Sequence, residues 1–101
     1  MYFGHEKLTV YSVALGVARW AAAVGTRRTL KDQLVRTADS VVLNIAEGAG
    51  RPFGGAARRA FFDIAMGSAA EVAAAIDLIG AEGPADDIRR VGAMLAKLSR
   101  L

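Results

Sequence analysis

Apolar residues recur every three or four positions in four separate stretches, and glycine, or glycine with proline, closes the first three. That spacing gathers them on one face of a helix, and no run alternates with the period of two that a half-buried strand requires. The chain is therefore read as all-α, an antiparallel up-down four-helix bundle in a single domain, residues 1–101. A chain of 101 residues leaves no room for a second domain of the usual ~100–150 residues.

The first helix is expected over residues 5–24. Leu8, Tyr11, Leu15, Ala18 and Ala22 form its inward line, and Val10, Val17 and Val24 recur at intervals of seven beside it. Residues 8–25 hold one charge, Arg19, over about the length of a transmembrane helix. Arg19 lies mid-segment, Thr9 and Ser12 interrupt the run, and Glu6 precedes it where a signal peptide would be positive. A buried bundle helix accounts for the segment better than a membrane span. The second helix is expected over 30–47, with Thr29 as N-cap, Asp32 in the first turn and a seam of Leu34, Ala38, Val41 and Ile45. Gly48 is assigned the positive-φ position that ends a helix, and Gly50, Pro52, Gly54 and Gly55 make the loop beyond it. The third helix, 56–79, turns Phe62, Ala65, Ala69, Val72, Ile76 and Ile79 inward, and Gly80 and Gly83 end it. The fourth begins at Pro84, carries Asp86 and Asp87 in its first turn and Lys97 and Arg100 in its last, and has a seam of Ile88, Val91, Leu95 and Leu98.

Composition removes several functions. With no cysteine there is no disulfide, thiolate zinc site or thiol nucleophile, which suits a reducing, cytoplasmic setting. His5 is the only histidine, so the Glu-x-x-His pairs of a carboxylate-bridged di-iron bundle cannot form. The same scarcity leaves Ser40 and Ser68 without a plausible base. No enzymatic activity, metal, cofactor or membrane partner is expected. Gly48-Ala49-Gly50-Arg51 is glycine-rich but follows a helix and lacks the Lys-Ser/Thr of a phosphate loop, so it reads as a helix stop.

Two constellations remain. Gln33, Thr37, Ser40, Asn44 and Glu47 recur at 4-3-4-3 spacing on the second helix, one residue from its apolar seam, while Ser68 and Glu71 share a face of the third. The expected arrangement is a polar network between helices or subunits made from Gln33, Ser40, Asn44, Glu47, Ser68 and Glu71, with Asn44 meeting Glu71 and Glu47 meeting Ser68. A solvated face is the alternative. The net charge is +3, from ten arginines and three lysines against ten acidic residues. Arg27, Arg28 and Lys31 form one cluster, Arg51, Arg58 and Arg59 a second, and Arg89, Arg90, Lys97 and Arg100 a third. The first two, at helix-end loops, are the candidate nucleic-acid contacts, since arginine suits phosphate. A slightly basic solvated surface is the plainer account.

The segments also resemble a known family. His5-Glu6-Lys7-Leu8-Thr9-Val10-Tyr11, the run Gln33-Leu34-Val35-Arg36-Thr37-Ala38 with Ser40-Val41 and Asn44-Ile45-Ala46-Glu47-Gly48, and Phe61-Phe62-Asp63-Ile64-Ala65-Met66-Gly67-Ser68 followed by Glu71 are similar to its signatures. The family is the four-helix-bundle proteins encoded by intervening sequences in bacterial large-subunit ribosomal RNA genes. Val42 stands where that family often has proline, and Arg58 or Arg59 where it often has an aromatic residue. The resemblance implies a bundle that assembles as a ring, commonly a homopentamer. A related branch, the accessory protein of diversity-generating retroelements, is basic and partners a reverse transcriptase and nucleic acid. The expected function is thus a non-catalytic, self-assembling protein whose partners are itself and DNA or RNA, with a protein-interaction scaffold as the alternative.

Overall fold

The computed structural model describes residues 3–80 and 83–101. A 3-10 turn, Gly4–Lys7, precedes four helices: α1 Thr9–Ala23, α2 Arg28–Ala49, α3 Ala56–Ile79 and α4 Ala85–Leu98. Each helix packs against two neighbours in a closed square, α1 on α2, α2 on α3, α3 on α4 and α4 on α1, and among the described residues the backbones of diagonal helices stay apart. The short connections make successive helices antiparallel. One end of the bundle, here the upper end, therefore carries the α1–α2 and α3–α4 connections. The lower end carries the α2–α3 loop, the start of α1 and the close of α4. The principal extents are 40 × 26 × 21 Å. Among the described residues no helix is long and apolar enough to cross a membrane.

The core is a single cluster fed by all four helices. The seams expected on α2, α3 and α4 point into it, with Leu34, Ile45, Phe62, Val72, Ile76, Val91 and Leu95 almost fully enclosed. Leu98 and Ile79 pack on its margin.

Five local expectations are corrected. In α1 the enclosed line is Val10, Ala14, Val17 and Ala21, whereas Leu8, Tyr11, Leu15 and Ala18 are half-buried and Ala22 is exposed. The helix is apolar nearly all round, so the sequence leaves the rotation about its axis open. It also starts later than expected. Leu8 is extended, at φ −86° and ψ 129°, because the 3-10 turn lies across the end of α2. A Cβ on Gly4 would be 3.0 Å from the Ala49 carbonyl oxygen.

At the start of α2 the N-cap is Arg27, without a side-chain bond. The Lys31 amide closes the first turn on the Arg27 carbonyl at 2.9 Å, and Thr29 lies inside the helix. At its other end Gly48 is helical and buried. A methyl there would meet Phe62 Cε1 at 2.6 Å and Cδ1 at 2.7 Å, so glycine serves close approach of α2 and α3. The positive φ falls elsewhere: Gly80 ends α3 at φ 78°, with its amide bonded to the Ile76 carbonyl at 2.9 Å. Pro84 is the N-cap of α4, one residue before the expected helical position.

Candidate nucleic-acid interface and the polar seam

The polar line of α2 faces α3 in its middle and solvent at its ends. Ser40 Oγ and Ser68 Oγ lie 2.9 Å apart across the helix pair. Asn44 Nδ2 donates to the Ser40 carbonyl at 2.8 Å and to Ser40 Oγ at 3.1 Å. With its oxygen accepting from Asn44, the Ser40 hydroxyl can direct its own hydrogen at Ser68. Thr37, which is buried, donates back to the Gln33 carbonyl at 2.7 Å.

The two cross-helix pairs expected from the sequence do not form. Glu47 turns outward and pairs with Arg51 at 3.3 Å, both side chains about half exposed. Glu71 is exposed and, with Gln33 and Thr37, lines a small groove of about 130 Å3 between α2 and α3. The network is thus Ser40, Asn44 and Ser68. Gln33 contributes its backbone carbonyl, and the Glu47 and Glu71 carboxylates stay in water, where their charge is least costly.

The candidate basic residues divide in a way the sequence does not reveal. Lys31 Nζ donates to the carbonyls of Ala22 at 2.9 Å and Val24 at 2.5 Å, which caps the end of α1. Arg58 is 4% exposed. Its Nη1 reaches the carbonyls of Gly48 at 3.4 Å, Ala49 at 3.5 Å and Arg51 at 3.3 Å, and its guanidinium carbon lies 4.2 Å from the centroid of Phe53 and 4.9 Å from that of Phe62. Nε is buried without a partner among the described residues.

A cation in the first turn of α3 is poorly placed for that helix. The long side chain instead delivers its charge to the C-terminus of α2, where unsatisfied carbonyls and the helix dipole favour it. Arg58 belongs to the frame of the bundle and is closed to a nucleic acid, whereas the Lys31 ammonium is engaged by the end of α1 at the surface.

Arg27, Arg28, Arg51 and Arg59 remain on the surface. The first two sit at the upper end and the other two at the lower end, so the clusters face opposite ends of the molecule. Arg59 Nη1 donates to the Gly54 carbonyl at 2.8 Å, and Arg51 stacks over Phe61 at 5.2 Å. In the third cluster Arg89 pairs with Asp86 at 3.4 Å and Arg90 with Asp87 at 3.5 Å, all well exposed.

The sequence reading also missed the outward face of α3. Ala57, Ala60, Ile64, Gly67, Glu71, Ala74 and Leu78 recur at 3-4 spacing and every one is exposed, Ile64 at 52% and Leu78 at 68%. The heptad-like spacing was visible, but the inward line of the same helix carried the larger side chains and drew the assignment.

An antiparallel four-helix square with one polar cross-link and no cluster of three or more acidic or histidine side chains placed for a metal among the described residues defines the class as a small helical-bundle protein. The family model described as 23S rRNA-intervening sequence protein matches residues 6–100, and the chain belongs to that family. No curated protein and no solved structure matches the chain.

Proposed function

We propose that this protein is a non-catalytic, cytoplasmic, self-assembling bundle that forms a homopentameric ring and serves as a nucleic-acid-binding accessory. The observation that carries the proposal is the outward face of α3, where Ala57, Ala60, Ile64, Gly67, Ala74 and Leu78 are exposed and Glu71 is the one charge among them. Isolated exposed leucines are ordinary, but a largely apolar helix face with two large exposed side chains calls for a partner.

Charge favours a ring over a face-to-face pair. Between residues 60 and 79, α3 carries Asp63, Glu71 and Asp77 and no cation, in a chain of net +3. Two copies joined α3 to α3 would bring like charges together. Contact of α3 with a different, basic surface of the next copy avoids this, and such head-to-tail contacts generate rings. Fivefold repetition multiplies the positive charge of each chain, which attracts a polyanion.

The test is sedimentation of the double variant Ile64→Glu, Leu78→Glu beside the unsubstituted chain. Both positions are exposed, so the helix should persist by circular dichroism while the assembly falls to monomers. An assembly that survives both charges overturns the role given to this face. Binding to nucleic acid should be insensitive to sequence and fall steeply with salt as counterions are released.

A further inference from the structure

We infer that the lower end of the bundle is a stacking platform for single-stranded nucleic acid, centred on Phe53; this rests on the nucleic-acid reading above and specifies its site and substrate. Phe53 and Phe3 are the exposed aromatic side chains among the described residues, at 76% and 73%, and both lie at this end.

Phe53 is held from beneath. The Arg58 guanidinium covers one face of its ring at 4.2 Å, and Arg58 is itself fixed on the carbonyls that end α2 and in the succeeding loop. Phe53 is nevertheless 76% exposed, so ring surface away from Arg58 is available to a base. A ring immobilised in this way loses little freedom when a base stacks on it. Phe3 is stacked on His5 with ring centroids 5.9 Å apart and planes 13° apart. It shares an open groove of about 630 Å3 with Arg51, which lies two residues from Phe53.

Phosphates have partners within the same patch. Arg51 and Arg59 flank Phe53 in the sequence and both reach solvent, and a phosphate would compete with the exposed Glu47 carboxylate for Arg51. Alternation of aromatic faces with cations is the pattern that binds single strands without sequence preference, since every base has a π-face and every nucleotide a phosphate. A duplex hides its base faces and can use only the cations. The upper end has Arg27 and Arg28 but no exposed aromatic ring among the described residues.

Fluorescence anisotropy would measure binding of a labelled oligothymidylate strand and of a mixed-sequence duplex at about 50 mM salt. The unsubstituted chain should bind the strand at least about tenfold more tightly than the duplex. Phe53→Ala should weaken the strand by about 5- to 100-fold, the scale of one lost stacking contact, and leave the duplex nearly unchanged. Phe53→Leu keeps an apolar cover over Arg58 and should bind as poorly as Phe53→Ala. Phe53→Trp should bind normally, with fluorescence quenched beyond the Trp20 background. Thermal melts of each variant separate lost binding from lost folding. Equal affinity for strand and duplex, or a Phe53→Leu variant that is well folded and binds fully, overturns the platform and leaves nucleic-acid binding standing. No binding to either oligonucleotide by the unsubstituted chain overturns both.

Discussion

A Cβ at Gly48 would stand 2.6 Å from a ring carbon of Phe62, and Phe62 is wholly enclosed. The ring has nowhere to go, so this contact sets how closely α2 and α3 approach. Alanine is better than glycine inside a helix by about 1 kcal/mol, whereas forcing a methyl into a filled core costs about 1–3 kcal/mol. Gly48→Ala is expected to lower stability by a net of up to ~2 kcal/mol. Urea unfolding would measure it, and a variant about 1 kcal/mol more stable than the parent, the full propensity gain, would mean the two helices do not meet there.

Arg58 and Arg59 are adjacent in sequence and opposite in role. Arg58→Met would take the side-chain donor from the part-buried carbonyls of Ala49 and Arg51 and leave the Gly48 carbonyl the Arg51 amide alone, at a cost of about 1–3 kcal/mol. Arg58→Lys should recover only part of that, because an ammonium cannot reproduce the planar stacking of a guanidinium between two rings. Arg59→Met should stay within about 0.5 kcal/mol, as surface changes do. Guanidinium melts of the three variants check the order. Equal losses at 58 and 59 would contradict the assignment of Arg58 as a cap.

The polar seam predicts coupling between helices. Ser40→Ala and Ser68→Ala should each cost about 0.5–1.5 kcal/mol, and the double variant should cost less than their sum because they share one bond. Asn44→Ala, which loses two bonds to Ser40, should cost about 1 kcal/mol. Arg90→Ala removes an exposed pair and should stay within about 0.5 kcal/mol. A strictly additive serine pair would mean that the hydroxyls bond water instead.

How much of this was legible depended on the local signal. The limits of α3 could be read because Gly55 and Gly80 bracket a long periodic run, and they fall at Ala56 and Ile79. The inward line of α1 could not be read, since lines on several sides of that helix are equally apolar. Gly48 looked like a helix stop because glycine before a glycine-rich loop usually is one. Its neighbour Phe62 is close only in space. Ser40, Asn44 and Ser68 were identified from spacing. The partners of Glu47 and Glu71 were misjudged, because an i, i+3 or i, i+4 rule fixes a face of one helix but not the depth of a long carboxylate at its edge. Lys31 and Arg58 read as surface cations because nothing local shows that a long side chain folds back onto another helix's carbonyls.

Gly67 offers a test that separates folding from assembly. It lies mid-helix on the outward face of α3, and a Cβ there meets nothing within 4 Å. Gly67→Ala should therefore stabilise the chain by about 0.5–1 kcal/mol through helix propensity. If that face is the contact between copies, the added methyl should weaken the assembly on dilution even as the subunit gains stability. Gly92→Ala, equally open within α4, should stabilise the subunit and leave assembly unchanged. Light scattering over a dilution series would compare them, and identical assembly in both would place the contact elsewhere.

The central claim is that this bundle is a building unit completed by copies of itself. Native mass spectrometry of the unsubstituted chain at micromolar concentration tests it most directly. One closed species of five subunits is expected. A clean monomer of 10.6 kDa, with no higher species as concentration rises, would contradict it.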